Sequence, residues 1–386
     1  MWHRSSVQQS GAVSLFVVVF AALLMTIVTI GFIQIMTKDQ EQATANDLSQ
    51  SAYDSAQAGV EDAKRLLLAE KACGVSLDAT CQTYRNAIAA GECTTIADAG
   101  MGGDPGAPET MLESAEGDDA LDQAYTCVKI SKLTNDYRST LALHESAIIP
   151  LVGTGEFNRI EVQWFESEDA GTGVTNLTFP DSGAAELPPL GSRWPKTTPP
   201  LLRAQLMQMG TGFDLGNFDT TTSDGKSNAN TLFLYPTNLL VPSGSSVDFA
   251  RDGRRSGSLT PVATGCAQNF ASTVKYACSM TINLPEPVNG TKSDREAYLR
   301  LSALYNATSY SVKLYNDSSL VQMNGTQPEV DSTGRANNLF RRVQARVELR
   351  GEMTYPEAAV DIAGNLCKKF FITDDRNQYA PQGCTP

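Results

Sequence analysis

The sequence predicts an α+β fold: a long N-terminal helix, membrane-spanning at first and amphipathic later, packed on an antiparallel β-rich head that is enlarged by a β-rich insertion or second subdomain. Three observations carry this. No charged side chain occurs from Ser5 to Thr37. Small and apolar residues then recur at helical spacing as far as Leu66. Beyond Ala124 apolar residues alternate with the period of a strand, and all eight cysteines follow the apolar run.

Bulk composition narrows the function classes. The 386 residues are enough for two or three domains at roughly 150 residues each. A net charge of −13 argues against a surface that binds nucleic acid. The 30 glycines and 18 prolines are dispersed, which excludes collagen-like and low-complexity architectures. No internal repeat of fixed period is visible.

The first element is a membrane segment. Ala12–Met36 reads AVSLFVVVFAALLMTIVTIGFIQIM, 25 residues whose only polar members are Ser14, Thr26, Thr29 and Gln34. As a helix it spans about 37 Å, enough to cross a hydrocarbon core of about 30 Å with some tilt. Arg4 and the N-terminal amine precede it; Asp39, Glu41, Asp47 and Asp54 follow it together with Lys38. The positive-inside rule therefore places the N-terminus in the cytoplasm and the rest outside. A secretory signal peptide fits less well, because its apolar core is only about 7–15 residues long.

The helical pattern does not stop at the membrane. Residues 38–70 contain no Pro and one Gly, and Ala45, Leu48, Ala52, Ala56, Gly59, Ala63 and Leu66 recur three and four apart. This stripe is narrow and built of small side chains, so a neighbour can pack closely along it. One continuous helix from about Ala12 to Glu70 is expected.

Several local sequences then carry a family resemblance: Gln9-Ser10-Gly11-Ala12 before the apolar run, Gly31 late within it, Glu41-Gln42-Ala43-Thr44-Ala45-Asn46-Asp47 beyond it, and the Ala-rich stretch from Ala52 to Ala63. Together they resemble the type IV pilin superfamily, and in particular PilX-type minor pilins, over about the first 70 residues. The resemblance implies a leader of residues 1–11, cut by a prepilin peptidase between Gly11 and Ala12. It implies a helix over 12–71 with its membrane part at 12–36, and a helix spine laid on an antiparallel sheet. Other pilins and the pilus assembly platform become the expected partners. The chain would wait in the cytoplasmic membrane, N-in and C-out, and reach the cell surface or pilus tip after assembly.

Two positions depart from the family pattern. Ser10 stands where a Lys or Arg usually precedes the cleaved Gly, and Phe16 stands where pilins usually carry Glu. In the family that carboxylate pairs with the terminal amine of the neighbouring subunit, a buried charge pair that needs its partner. Phe16 thus implies a subunit at or near the fibre tip. The expected role is a minor pilin that primes assembly or caps the tip and displays an adhesive head to a cell or surface ligand. The alternative is a single-pass, membrane-anchored extracellular binding protein outside any pilus.

Eight cysteines, none in a C-x-x-C, and only two histidines make a Cys/His zinc site a poor reading and disulfides in an oxidising compartment a good one. Roughly a hundred pairings are open, and the sequence does not select among them. Clustering along the chain favours Cys266 with Cys278 across an apparent hairpin, Cys367 with Cys384 closing the C-terminus, and, more weakly, Cys73 with Cys81 and Cys93 with Cys127. A C-terminal bridge also fits the pilin resemblance.

The remaining elements follow in order. Residues 72–165 should hold a short helix at Leu77–Ala90 ended by Gly91, an acidic loop and the first strands. The loop, Asp98–Asp122, contains eight acidic residues and no basic one. Its cluster Glu116, Asp118, Asp119 and Asp122 lacks EF-hand spacing, so it reads as a solvated loop with no metal. Strands are expected at Tyr125–Ile130, Leu141–Leu151 and Phe157–Phe165. A Pro-rich loop at 166–200 is the candidate boundary, followed by a β-rich head over 201–386. Its strands are expected at Leu201–Met209, Thr231–Tyr235, Lys275–Leu284, Tyr298–Tyr305, Tyr310–Tyr315 and Phe340–Arg350. In the last of these, Val343, Ala345, Val347 and Leu349 share a face with Arg341, suited to covering the long helix, while Arg342 and Arg346 face away and await acidic partners.

No catalytic constellation is expected. His144 lies in a strand-like segment and reads as an ordinary sheet residue. Gly225-Lys226-Ser227 lacks the first glycine of a phosphate loop, since position 220 is Thr. No cofactor is implied, and the chain reads as a structural protein and not an enzyme.

Overall fold

The computed structural model describes residues 11–104, 106–107, 109–112, 122–180, 193–209, 231–238, 246–248, 261–270, 275–288 and 295–349. Its first element, α1 (Gly11–Ala72), is a single unbroken helix of 62 residues. From Leu15 to Met36 its large apolar side chains are exposed to half or more of their surface. This is the one helix long and apolar enough to cross a membrane among the described residues. From Ala52 onward the same helix is packed: Ala52, Ser55, Ala56, Ala63, Leu66 and Leu67 are fully buried. The expected small-residue stripe therefore has its neighbour within the chain.

That neighbour is a four-stranded antiparallel sheet. It comprises β1 (Thr110–Met111), β2 (Gln123–Thr134), β14 (Met323–Ala336) and β15 (Leu339–Arg346), in that order across the sheet. Gly59 of the helix lies over β2 and β14, where a Cβ would run into Ser332, Val128 and Tyr125. Gly334 of β14 lies under the helix backbone, where a Cβ would collide with Ala52 and Ala56. Glycine on both elements is what lets them approach so closely. Around this contact α2 (Ala79–Ala90) and α3 (Thr95–Asp98) complete a second, smaller core with Ile88, Ile96, Ile130 and Val347. Asp78 caps α2 by accepting from the Thr80 amide, and Gly91, at φ 63°, ends it as expected.

The rest of the described chain is a sandwich. One sheet holds β3 (Tyr137–Leu141), β5 (Phe157–Glu166), β8 (Ser246–Asp248), β10 (Tyr276–Val288), β12 (Thr308–Asn316) and β13 (Ser319–Val321). The other holds β4 (Ser146–Pro150), β6 (Leu201–Met209), β7 (Thr231–Thr237), β9 (Val262–Gly265) and β11 (Glu296–Leu304). Pairing is antiparallel except for β8 with β10 and β7 with β9. The inner faces share one core in which Trp164, Tyr310, Phe157 and Ile149 are fully buried. The architecture is thus a helix on a sheet plus a β-sandwich, an α+β arrangement as the sequence predicts.

Several expectations need correction. The single strand at Leu141–Leu151 is two, β3 and β4, in different sheets. The chain crosses between them through a turn in which His144 adopts φ 67°, so His144 is a turn residue and not a sheet residue. β14, the central strand under the helix, has no counterpart among the expected strands. Residues 166–200 begin with the helical turn α4 (Ser167–Ala170), and their described parts send Leu177 into the sandwich core and stack Trp194 on Tyr305. Strands from both sides of this stretch enter each of the three sheets.

Candidate functional site

Gly11 and Ala12 open α1, and Phe16 is 71% exposed on it. Among the described residues, nothing from the head buries the segment from Leu15 to Met36, so its apolar surface is left for hydrocarbon or other helices to cover. Thr26, Thr29 and Thr37 turn their hydroxyls onto carbonyls three or four residues back, which satisfies these hydroxyls within the helix itself. One helix thus presents an unpaired apolar half and a half locked to the head.

The lock is polar as well as steric. Tyr125 donates to Asp62 at 3.0 Å, and burial followed by the neighbouring Asp62 charge pushes its phenol up to about 12. Lys132 pairs with Glu70 at 2.9 Å, and Arg341 donates to Ser49 at 2.8 Å. Two of the three arginines of β15 have acidic partners within the fold. Arg342 holds Asp331, and this hydrogen bond keeps the Asp331 carboxyl below the usual range. Arg346 pairs with Glu329 at 3.0 Å and reaches Asp136 at 3.6 Å.

Three disulfides join the candidate cysteines: Cys73–Cys81, Cys93–Cys127 and Cys266–Cys278. The first closes the loop between α1 and α2, and Arg85 braces it by donating to the carbonyls of Ser76 and Gly74 at 2.7 and 2.8 Å. Val75 and Leu77 on this braced loop are 97% and 80% exposed. The second fastens α3 to β2, and the third links β10 to the end of β9. Cys367 and Cys384 lie outside the described residues.

Of the acidic cluster, Asp122 is described, and its partner is a guanidinium. With Glu109 it binds Arg335 of β14, each at 2.5 Å. Glu116, Asp118 and Asp119 lie outside the described residues, and no group of acidic, His or Cys side chains suited to a metal occurs among the described ones. A groove of about 760 Å³ runs between α2 and the edge of β2, lined by Arg85, Ile88, Lys129 and Lys132 among others. Sequence reasoning does not find this groove, since it is bounded by a strand edge and not by a motif. Comparison with protein-family models, curated proteins and solved structures finds no match.

Proposed function

We propose that this chain is a minor pilin of a type IV pilus system, held in the membrane by α1 and moved from there into a fibre. The observation that carries the reading is the division of α1: its apolar half is bare, and its second half is fixed to the head by small residues and polar ties. Bilayer and fibre core bury the same side chains, so one helix serves both states. In this reading residues 1–11 are the leader, prepilin peptidase cuts after Gly11, and other pilins and the assembly platform are the partners. Phe16 supports a position at or near the fibre tip, where no preceding neighbour offers an amine to a carboxylate. The head, larger than a helix-on-sheet unit by a whole sandwich, is the adhesive part. Disulfides support an extracytoplasmic head.

Shearing cells and fractionating the products tests this. The chain is expected in sheared fibres, shortened by the mass of residues 1–11, and Gly11→Leu should abolish the shortening. A chain that stays wholly in membranes at full mass would instead support the membrane-anchored binding protein.

A further inference from the structure

The edge of β2 is covered along its first half. β1 pairs with Ala124 and Tyr125, and Thr94 bridges Val128, whose amide donates to the Cys93 carbonyl at 3.0 Å. Residues 129–133 have no partner on that side among the described residues, and they form one wall of the groove. In an antiparallel strand the N–H and C=O of one residue point to the same side, and the side alternates along the chain. Val128 points away from β14, so Ile130 and Lys132 also direct their backbone groups into the groove. Across it stand Ile88 and Ala89 of α2.

The charges in the groove are uneven. Its carboxylates Glu70, Glu329 and Asp331 are held by Lys132, Arg346 and Arg342. Lys129, exposed on β2, makes no hydrogen bond or ion pair among the described residues and stands across the ladder from Asp331, which Arg342 already holds. Arg85 directs its guanidinium to backbone carbonyls. A chain of net charge −13 thus keeps uncompensated positive charge beside an open strand edge.

We propose that this groove takes an extended acidic segment of a partner protein as an added strand beside β2. Backbone pairing to Ile130 and Lys132 supplies the affinity. Alternate side chains of the added strand meet Ile88 and Ala89 on the helix side and Lys129 on the other, so the segment alternates apolar and acidic residues.

The full-length chain in detergent can be titrated with an acetylated Val-Asp-Val-Asp-Val-Asp amide. Two controls are the same peptide with Lys for Asp, and the acidic peptide N-methylated at alternate amides. The acidic peptide should slow hydrogen exchange of the Ile130 and Lys132 amides, and Lys129→Glu should weaken binding about tenfold. Lys129 is exposed, so that variant keeps the fold. Absence of binding, equal binding of the Lys peptide, or equal binding of the N-methylated peptide would each overturn the proposal.

Discussion

Gly334 shows at the scale of one residue how the head is fastened to its helix. Its Cα lies against the backbone of Ala52–Ala56, which cannot retreat as a flexible side chain would. Gly334→Ala should therefore cost about 3 kcal/mol, the upper part of the range for overpacking, measured by urea unfolding of the full chain in detergent. A loss below ~0.5 kcal/mol would show that helix and strand can separate freely. Tyr125 gives a second test, in alkali. Its phenol is neutral in the fold up to about pH 12, whereas an unfolded tyrosine ionises near pH 10. Its contribution is therefore complete below about pH 10 and is lost as pH rises through 12. Tyr125→Phe should flatten the decline of the unfolding midpoint over that window. Asp331 works in the opposite direction. Arg342 depresses its folded pKa, so stability is present above about pH 4 and is lost as the carboxyl protonates in the fold. Wild type and Asp331→Asn should differ near neutrality and converge in acid.

At the scale of elements, Arg335 clips β1 to the sheet. This one guanidinium binds Glu109 just before β1 and Asp122 just before β2, and β1 itself pairs with only Ala124 and Tyr125. Arg335→Ala should speed hydrogen exchange at Leu112, whose amide donates to Gln123, while leaving the Ile160 and Val162 amides of β5 unchanged. An unchanged Leu112 would show that the clip does not hold β1. Element legibility divides along physical lines. The long helix is visible in the sequence to within two residues at each end, because the apolar run and small-residue stripe are strong 3.6-period signals. β5, β6 and β12 are equally visible from alternation. β14 is not, since MNGTQPEVDSTGRA has few apolar residues. It meets the helix through Gly334 and Ser332, where close backbone approach replaces hydrophobic bulk. The break between β3 and β4 was hidden because TLALHESAI keeps a strand-like pattern across the turn. The groove was hidden for a different reason: which part of a strand edge stays open depends on where β1 and Thr94 end, and no side-chain pattern encodes that.

For the whole molecule the decisive question is how the helix-bearing sheet is coupled to the sandwich that makes the head large. Asp136 stands at this junction, 3% exposed between β2 and β3. Arg138 donates to it at 2.5 Å, Ser311 of the sandwich donates at 3.2 Å, and Arg346 of β15 donates to its carbonyl at 3.1 Å. Tyr137 reaches from β3 to Glu348 at 2.8 Å beside it. Removing a buried acceptor leaves its donors unsatisfied, at a cost of about 1–3 kcal/mol each. Arg138 and Ser311 belong to the sandwich, whereas Arg346, whose guanidinium lies 3.6 Å from the same carboxylate, belongs to β15, so the loss falls on the coupling between them as well as on total stability. In the wild type, Trp164 fluorescence, which reports on the sandwich, and far-UV dichroism, dominated by α1, should change together on denaturation. In Asp136→Ala the two transitions should separate, with exchange at the Ala52–Leu67 amides following only the second. Coincident transitions at an unchanged midpoint would mean that the shared chain and apolar contacts couple the two parts without Asp136. Separation would identify a polar joint through which a load on the sandwich reaches the helix.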